Sequence, residues 1–189
     1  MGLCVPAGLF TVEPMGTNTS PANYSTSHTR AGRGPHQLML GSVTVSRLLD
    51  GDDTDGQLSL VELTGRSGSG PGPHIDPWRE SFYVVDGELT FRVDERGVVR
   101  TIVAGRGDAV SIPRGVGHAF SVTSAEPARY LIASSPAGIA AFFADAGTPI
   151  ARAVLPDDRP VFDRDRLQAA FSKHGLAPCR FPEPPAAEQ

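Results

Sequence analysis

The residues best suited to chemistry sit in one short stretch and at one distant position. Pro73-His74-Ile75-Asp76-Pro77-Trp78-Arg79-Glu80 holds three of them, and His118 follows Ile112-Pro113-Arg114-Gly115-Val116-Gly117. On a strand, the two-residue period turns His74 and Asp76 to the same face. Glu80 shares its parity with Phe82 and Val84. That aims a carboxylate into an apolar interior, which is costly unless the group is paired or metal-bound. His118 heads another alternating run, with Phe120 and Val122 on its side. Closing these strands into a barrel would bring His118 opposite the first cluster.

The elements that must position these groups are short β-type runs broken by Gly, Pro and Asp. They are Val43–Leu49, Leu58–Thr64, Glu80–Val85, Leu89–Val93, Val98–Val103, Ala109–Ile112, His118–Val122 and Arg129–Ala133. About eight strands at this spacing predict an antiparallel sandwich or barrel, an all-β fold. Asp86-Gly87 reads as a hairpin turn, since Gly accepts positive φ. Tyr83, opposite in parity to Glu80, is expected to pack between sheet and helices. After the strands, Ser135 caps an expected helix with Pro136 in its first turn and Gly147 as terminator. Ile139, Phe142, Phe143 and Ala146 fall on one face of it. A second helix is expected after Asp163, with Leu167, Ala170, Phe171 and His174 on one face and Gly175 ending it. Three parts follow: an N-terminal arm over 1–36, a barrel over 37–134, and C-terminal helices with a Pro-rich tail over 135–189.

Composition narrows the function classes. The chain has 189 residues, 40% hydrophobic and 20% charged, which is the texture of a globular domain. With 17 basic and 21 acidic residues the net charge is −4, so duplex nucleic acid is a poor partner. No apolar run approaches the roughly 18 residues of a membrane span, and the first residues lack the basic region of a secretory signal. A cytoplasmic protein without a membrane partner is expected. Cys4 and Cys179, near opposite chain ends, fit free thiols better than a disulfide framework. Asp52-Asp53-Thr54-Asp55-Gly56 misses the ligand spacing of a calcium loop and reads as a solvated turn. His28, His36 and His174 are expected to be structural or solvated.

The chemistry-bearing stretches resemble the two motifs of the cupin superfamily. The first, G-x5-H-x-H-x3–4-E-x6-G, is matched by Gly68, His74, Glu80 and Gly87, with Asp76 at the second His position. The second, G-x5-P-x-G-x2-H-x3-N, is matched by Gly107, Pro113, Gly115 and His118, with Val122 in place of the terminal Asn. The resemblance implies a small double-stranded β-helix, the cupin jelly-roll barrel. It also implies one divalent transition metal (Fe, Mn, Ni, Co, Cu or Zn) held by His74, Asp76, Glu80 and His118. His74, Asp76 and His118 are similar to the 2-His-1-carboxylate triad of non-haem iron oxygenases. A second reading stays open beside this one. A metal-free pocket would crowd the same four groups into an acid/base cluster.

Within the superfamily, the helix after the barrel is similar to that of short bacterial quercetin 2,3-dioxygenase relatives. That resemblance implies a metal-dependent dioxygenase acting on an aromatic or enolisable hydroxy-ketone, with Glu80 as the catalytic group that moves the proton. Trp78 and Arg79 are expected at the pocket mouth. Phe82, Phe91, Phe120 and Val122 would line its wall against a small-molecule substrate. The alternatives are a non-oxidative cyclase, isomerase or dehydratase of bacterial secondary metabolism and, further off, a non-catalytic small-molecule-binding cupin. By analogy with single-barrel members, a homodimer is expected.

Overall fold

Alternation of apolar and polar residues builds two antiparallel sheets whose inward faces meet. The computed structural model describes residues 26–30, 34–157 and 162–181. The expected arm and the Pro-rich tail lie largely outside these residues, as does Cys4. The strands are β1 (His36–Met39), β2 (Val43–Leu49), β3 (Ser59–Gly65), β4 (His74–Ile75), β5 (Arg79–Asp86) and β6 (Glu88–Glu95). They continue as β7 (Val98–Gly105), β8 (Ala109–Ile112), β9 (His118–Val122), β10 (Ala128–Ser135), β11 (Thr148–Ile150) and β12 (Ala177–Pro178). One sheet has the order β11-β1-β2-β3-β10-β5-β8, and the other β12-β4-β9-β6-β7. All eight expected strands are present, and the fold is the all-β barrel that their spacing predicts.

Inward residues of both sheets form the core. Along β5, Glu80, Phe82 and Val84 are buried while Arg79, Ser81 and Tyr83 face out. Tyr83 is 47% exposed, so it packs against no helix, contrary to expectation. Phe82, Phe91 and Phe120 form an aromatic cluster, with Phe82 4.9 Å from Phe91 and 5.1 Å from Phe120 between ring centroids. Phe120 in turn meets Tyr130 edge-on at 5.8 Å. Each such side chain contributes about 1.5–3 kcal/mol by leaving water.

Asp86-Gly87 does not close a hairpin. It carries the chain from β5 in one sheet to β6 in the other, as the two strands pair with different neighbours. Gly87 does hold φ at 82°, and a Cβ there would come within 2.7 Å of the Ala128 methyl. The tight hairpin is the next turn, where Arg96 and Gly97 both adopt positive φ between the paired residues Glu95 and Val98.

The two helices are α1 (Ile139–Ala146) and α2 (Arg164–His174). Helix α2 matches its sequence signals. Asp163 accepts a hydrogen bond from the Arg166 amide, and Gly175 ends the helix in the left-handed conformation. Helix α1 starts later than its Ser-Pro signal suggests, because its cap comes from the sheet. Ser134 Oγ accepts from the Gly138 and Ile139 amides, while Ser59 Oγ accepts from those of Gly138 and Ala140. The two hydroxyls bond each other at 2.8 Å. These buried oxygens replace the side-chain cap that Ser135 was expected to supply. No described helix is long and apolar enough to cross a membrane.

Candidate metal centre and cavity

Strand β4 is only two residues long, yet it is held on both sides. His74 pairs with Pro178 of β12 and with His118 of β9. This antiparallel register sets the two imidazoles 4.4 Å apart, centroid to centroid. Asp76 lies just past the end of β4 and keeps its inward parity. It is 2% exposed, against 7% for His74 and 1% for His118.

The three groups converge. Asp76 Oδ2 is 3.5 Å from His74 Nε2 and 3.3 Å from His118 Nε2. One ligand atom from each of His74, Asp76 and His118 lies within 4.8 Å of the other two. Glu80 flanks this triad, with Oε2 3.5 Å from His118 Nε2. Its other oxygen, Oε1, accepts a hydrogen bond from Trp78 Nε1 at 3.3 Å. The structure therefore brings all four expected ligand positions together, with Glu80 at the edge.

The donor set fits a divalent transition ion. His74 Nδ1 lies 2.9 Å from the Gly72 carbonyl, and His118 Nδ1 lies 3.0 Å from that of Val116. Donation of Nδ1–H to these carbonyls fixes a tautomer whose Nε2 lone pair points at the centre. Asp76 Oδ1, Asp76 Oδ2 and His118 Nε2 are buried without a hydrogen-bond partner. Buried polar atoms are seldom left unpaired, and a cation at their meeting point would satisfy all three. Burial works to lower the His74 pKa, but the Asp76 carboxylate close beside it, the Gly72 carbonyl and the Glu80 charge outweigh it. The net direction is upward.

The centre opens into an apolar cavity of about 270 Å³. Its walls include Met39, Leu63, Phe120, Tyr130 and Ile132 from the barrel. Ile139, Phe142 and Phe143 of α1 and Leu167 and Phe171 of α2 roof it, so the C-terminal helices cover the barrel mouth. Phe142 packs edge-on against Phe171 at 5.6 Å. Asp145 clasps the two helices, with Oδ2 2.6 Å from His174 Nε2 and 2.8 Å from Lys173 Nζ. Arg166 Nε also donates to the Asp145 carbonyl at 2.6 Å.

The other expected contact residues divide by location. Trp78 lines the cavity, and Gly138 rests on its indole, where a Cβ would come within 2.2 Å of the ring. Phe120 spans the cavity wall and the aromatic cluster. Arg79 is corrected. Its parity is opposite to that of Glu80, it is exposed, and Nη1 donates to Ser111 Oγ at 3.1 Å. Phe82, Phe91 and Val122 lie in the core beneath the cavity and are not among its lining residues. His36 is buried with Nδ1 2.9 Å from Ser46 Oγ, and His28 is exposed. Sequence reasoning missed Tyr130. Inward alternation along the Arg129–Ala133 run was its only signal.

Residues 60–134 match the cupin domain family. Over these residues the barrel resembles a cupin domain. Among solved structures, this chain is similar to an RmlC-like cupin from Shewanella frigidimarina. That match has 22% identity, covers 60% of this chain and 93% of the other, and has a TM-score of 0.49. It is also similar to Bacillus subtilis oxalate decarboxylase, a protein with Mn(II) centres. There the identity is 16% and the TM-score 0.52, over 61% of this chain and 31% of that one. The likeness thus spans about a third of the oxalate decarboxylase chain. No curated protein sequence matches the chain significantly. Beside this likeness, the chain has a cavity roofed by two helices above a cluster of His and Asp able to hold a metal.

Proposed function

We propose that this cupin is a metal-dependent enzyme, a dioxygenase acting on an aromatic or enolisable hydroxy-ketone. The observation that carries the reading is the set of unpartnered buried atoms on Asp76 and His118, facing the Nε2 of His74 at the end of an apolar cavity. His74, Asp76 and His118 would hold the ion, with Glu80 beside them. When bound, the ion supplies Lewis-acid stabilisation of a substrate enolate and redox access to O2.

The chain's own groups do the rest. The apolar walls take up the ring of the substrate and fix its plane. The roof of α1 and α2 excludes water, which strengthens every charge interaction within. Glu80 Oε2 takes the hydroxyl proton, while the Trp78 indole holds Oε1 and so fixes the plane of the carboxylate. The test is metal content after purification without chelators, followed by O2 uptake on a series of flavonol-like hydroxy-ketones. Stoichiometric metal and substrate-dependent uptake support the reading. Protein that lacks metal, or consumes no O2 with any member of the series, overturns it.

The placement of Glu80 also favours a second reading, a non-oxidative cyclase, isomerase or dehydratase in which the same carboxylate moves the proton. Turnover that persists without O2 supports that reading and excludes the first.

A further inference from the structure

The cavity is unevenly supplied with hydrogen-bonding groups. At the metal-centre end stand the groups that would hold the ion, the Asp76 carboxylate and Nε2 of His74, with the Glu80 carboxylate beside them as an acceptor. The Trp78 indole N–H is already spent on Glu80. One side-chain donor on the wall is unspent, the Tyr130 hydroxyl, which makes no hydrogen bond among the described residues. Tyr130 comes from β10, on a different wall from β4, and its ring is fixed edge-on against Phe120. Burial, and secondarily the charge of Glu80, push its phenol well up, so it stays a donor.

We propose that Tyr130 is a specificity-determining residue that donates a hydrogen bond to the carbonyl oxygen of a ligand whose hydroxyl is directed to the metal centre. The inference rests on the reading of the cavity as the substrate site, and it fixes the polarity of what enters. The ligand is a small, largely apolar molecule of one or two rings that carries a hydroxyl and a carbonyl.

Trp78 is the only tryptophan in the chain and it lines the cavity, so its fluorescence reports occupancy directly. The probes are 2′-hydroxyacetophenone and 2-ethylphenol, which lacks the carbonyl oxygen. Each is titrated into wild-type protein and a Tyr130→Phe variant, with calorimetry as the second measure. In the wild type the hydroxy-ketone is expected to bind about five- to tenfold tighter than 2-ethylphenol, the worth of one hydrogen bond. Tyr130→Phe should erase the preference over 2-ethylphenol while leaving 2-ethylphenol affinity unchanged. A purely structural role would weaken both phenols together.

The inference is overturned if the hydroxy-ketone does not bind, if 2-ethylphenol binds as well as the ketone, or if the variant keeps the carbonyl preference. The wild-type comparison of the two probes stands even if the variant does not fold. Selective binding without O2 uptake would overturn the dioxygenase reading alone. O2 uptake with the carbonyl preference retained in Tyr130→Phe would overturn this inference alone.

Discussion

His74 and His118 are cross-strand partners: they form the registered pair joining β4 to β9, and their rings stand 4.4 Å apart. Asp76 bridges them, with one oxygen 3.5 Å from the first Nε2 and 3.3 Å from the second. The carboxylate at this position therefore belongs to the centre by geometry as well as by spacing.

Replacing Asp76 tests this directly. Asp76→Ala removes one of the three converging groups and is expected to lower divalent-metal affinity by at least tenfold, read by elemental analysis and competition with a chelating dye. Asp76→His restores an imidazole and should retain or strengthen binding. A fall in metal content in Asp76→His comparable to that in Asp76→Ala would exclude ligation at this position.

Protons and metal compete for His74 Nε2. Its pKa in the folded protein lies above the unfolded value of 6.5. In the metal-free protein, protonated His74 therefore stabilises the fold fully below pH 6.5, and this contribution is lost as pH rises through the folded value. Metal affinity should run the opposite way and rise over the same range. Thermal midpoints of chelated and metal-loaded protein between pH 5 and 9, on the order of the window set by ordinary His titration, should diverge as pH increases. Parallel curves would show that His74 is not a ligand.

Ser134 contributes to the roof by capping α1 from inside the barrel. Its hydroxyl is fully buried and accepts from two helical amides while bonded to Ser59. Ser134→Ala leaves the Ile139 amide without this acceptor and Gly138 with Ser59 alone, and should cost about 1–3 kcal/mol. For a domain of this size that amounts to a fall of roughly 2–12 °C in thermal midpoint. An unchanged midpoint by calorimetry would mean that the cap is redundant.

Asp145 holds α2 to α1 through Lys173 and His174. Their hydrogen bonds, and then their charges, keep its carboxyl below the ordinary value of 3.8. A depressed folded pKa gives stability that is present above the unfolded value and lost as pH falls through the folded one. The clasp is thus intact at neutral pH and opens only in acid. Asp145→Asn should lower the thermal midpoint at pH 7 by a few degrees and flatten its dependence in the acid range, with metal content unchanged. A loss of metal in this variant would show that the roof shapes the centre itself.

Much of the fold and part of the centre was legible because the relevant signals are local. Two-residue alternation turned Glu80, Phe82 and Val84 inward along β5, and the same period carried Asp76 to the side of His74. Asp163 and Gly175 bounded α2 correctly, since a cap and a left-handed terminator act within one turn of the helix. The spacing from Gly68 to Glu80 and from Gly107 to His118 marked the residues that meet. Such features depend on a few neighbouring φ/ψ angles and side chains, and a linear chain states them openly.

What needed the tertiary structure depends on partners distant in the chain. The Asp86-Gly87 turn became a passage between sheets because β5 and β6 each found other neighbours. The cap of α1 came from Ser59 and Ser134, which no rule about flanking residues can locate. Arg79 left the cavity and Tyr130 entered it, each by strand parity whose inward sense is set only once the barrel closes. The sequence alone determined which side chains are able to bind an ion or move a proton. Burial by strands from across the chain decided which of them share one point, which oxygen is already taken by an indole, and which hydroxyl is left free for a ligand.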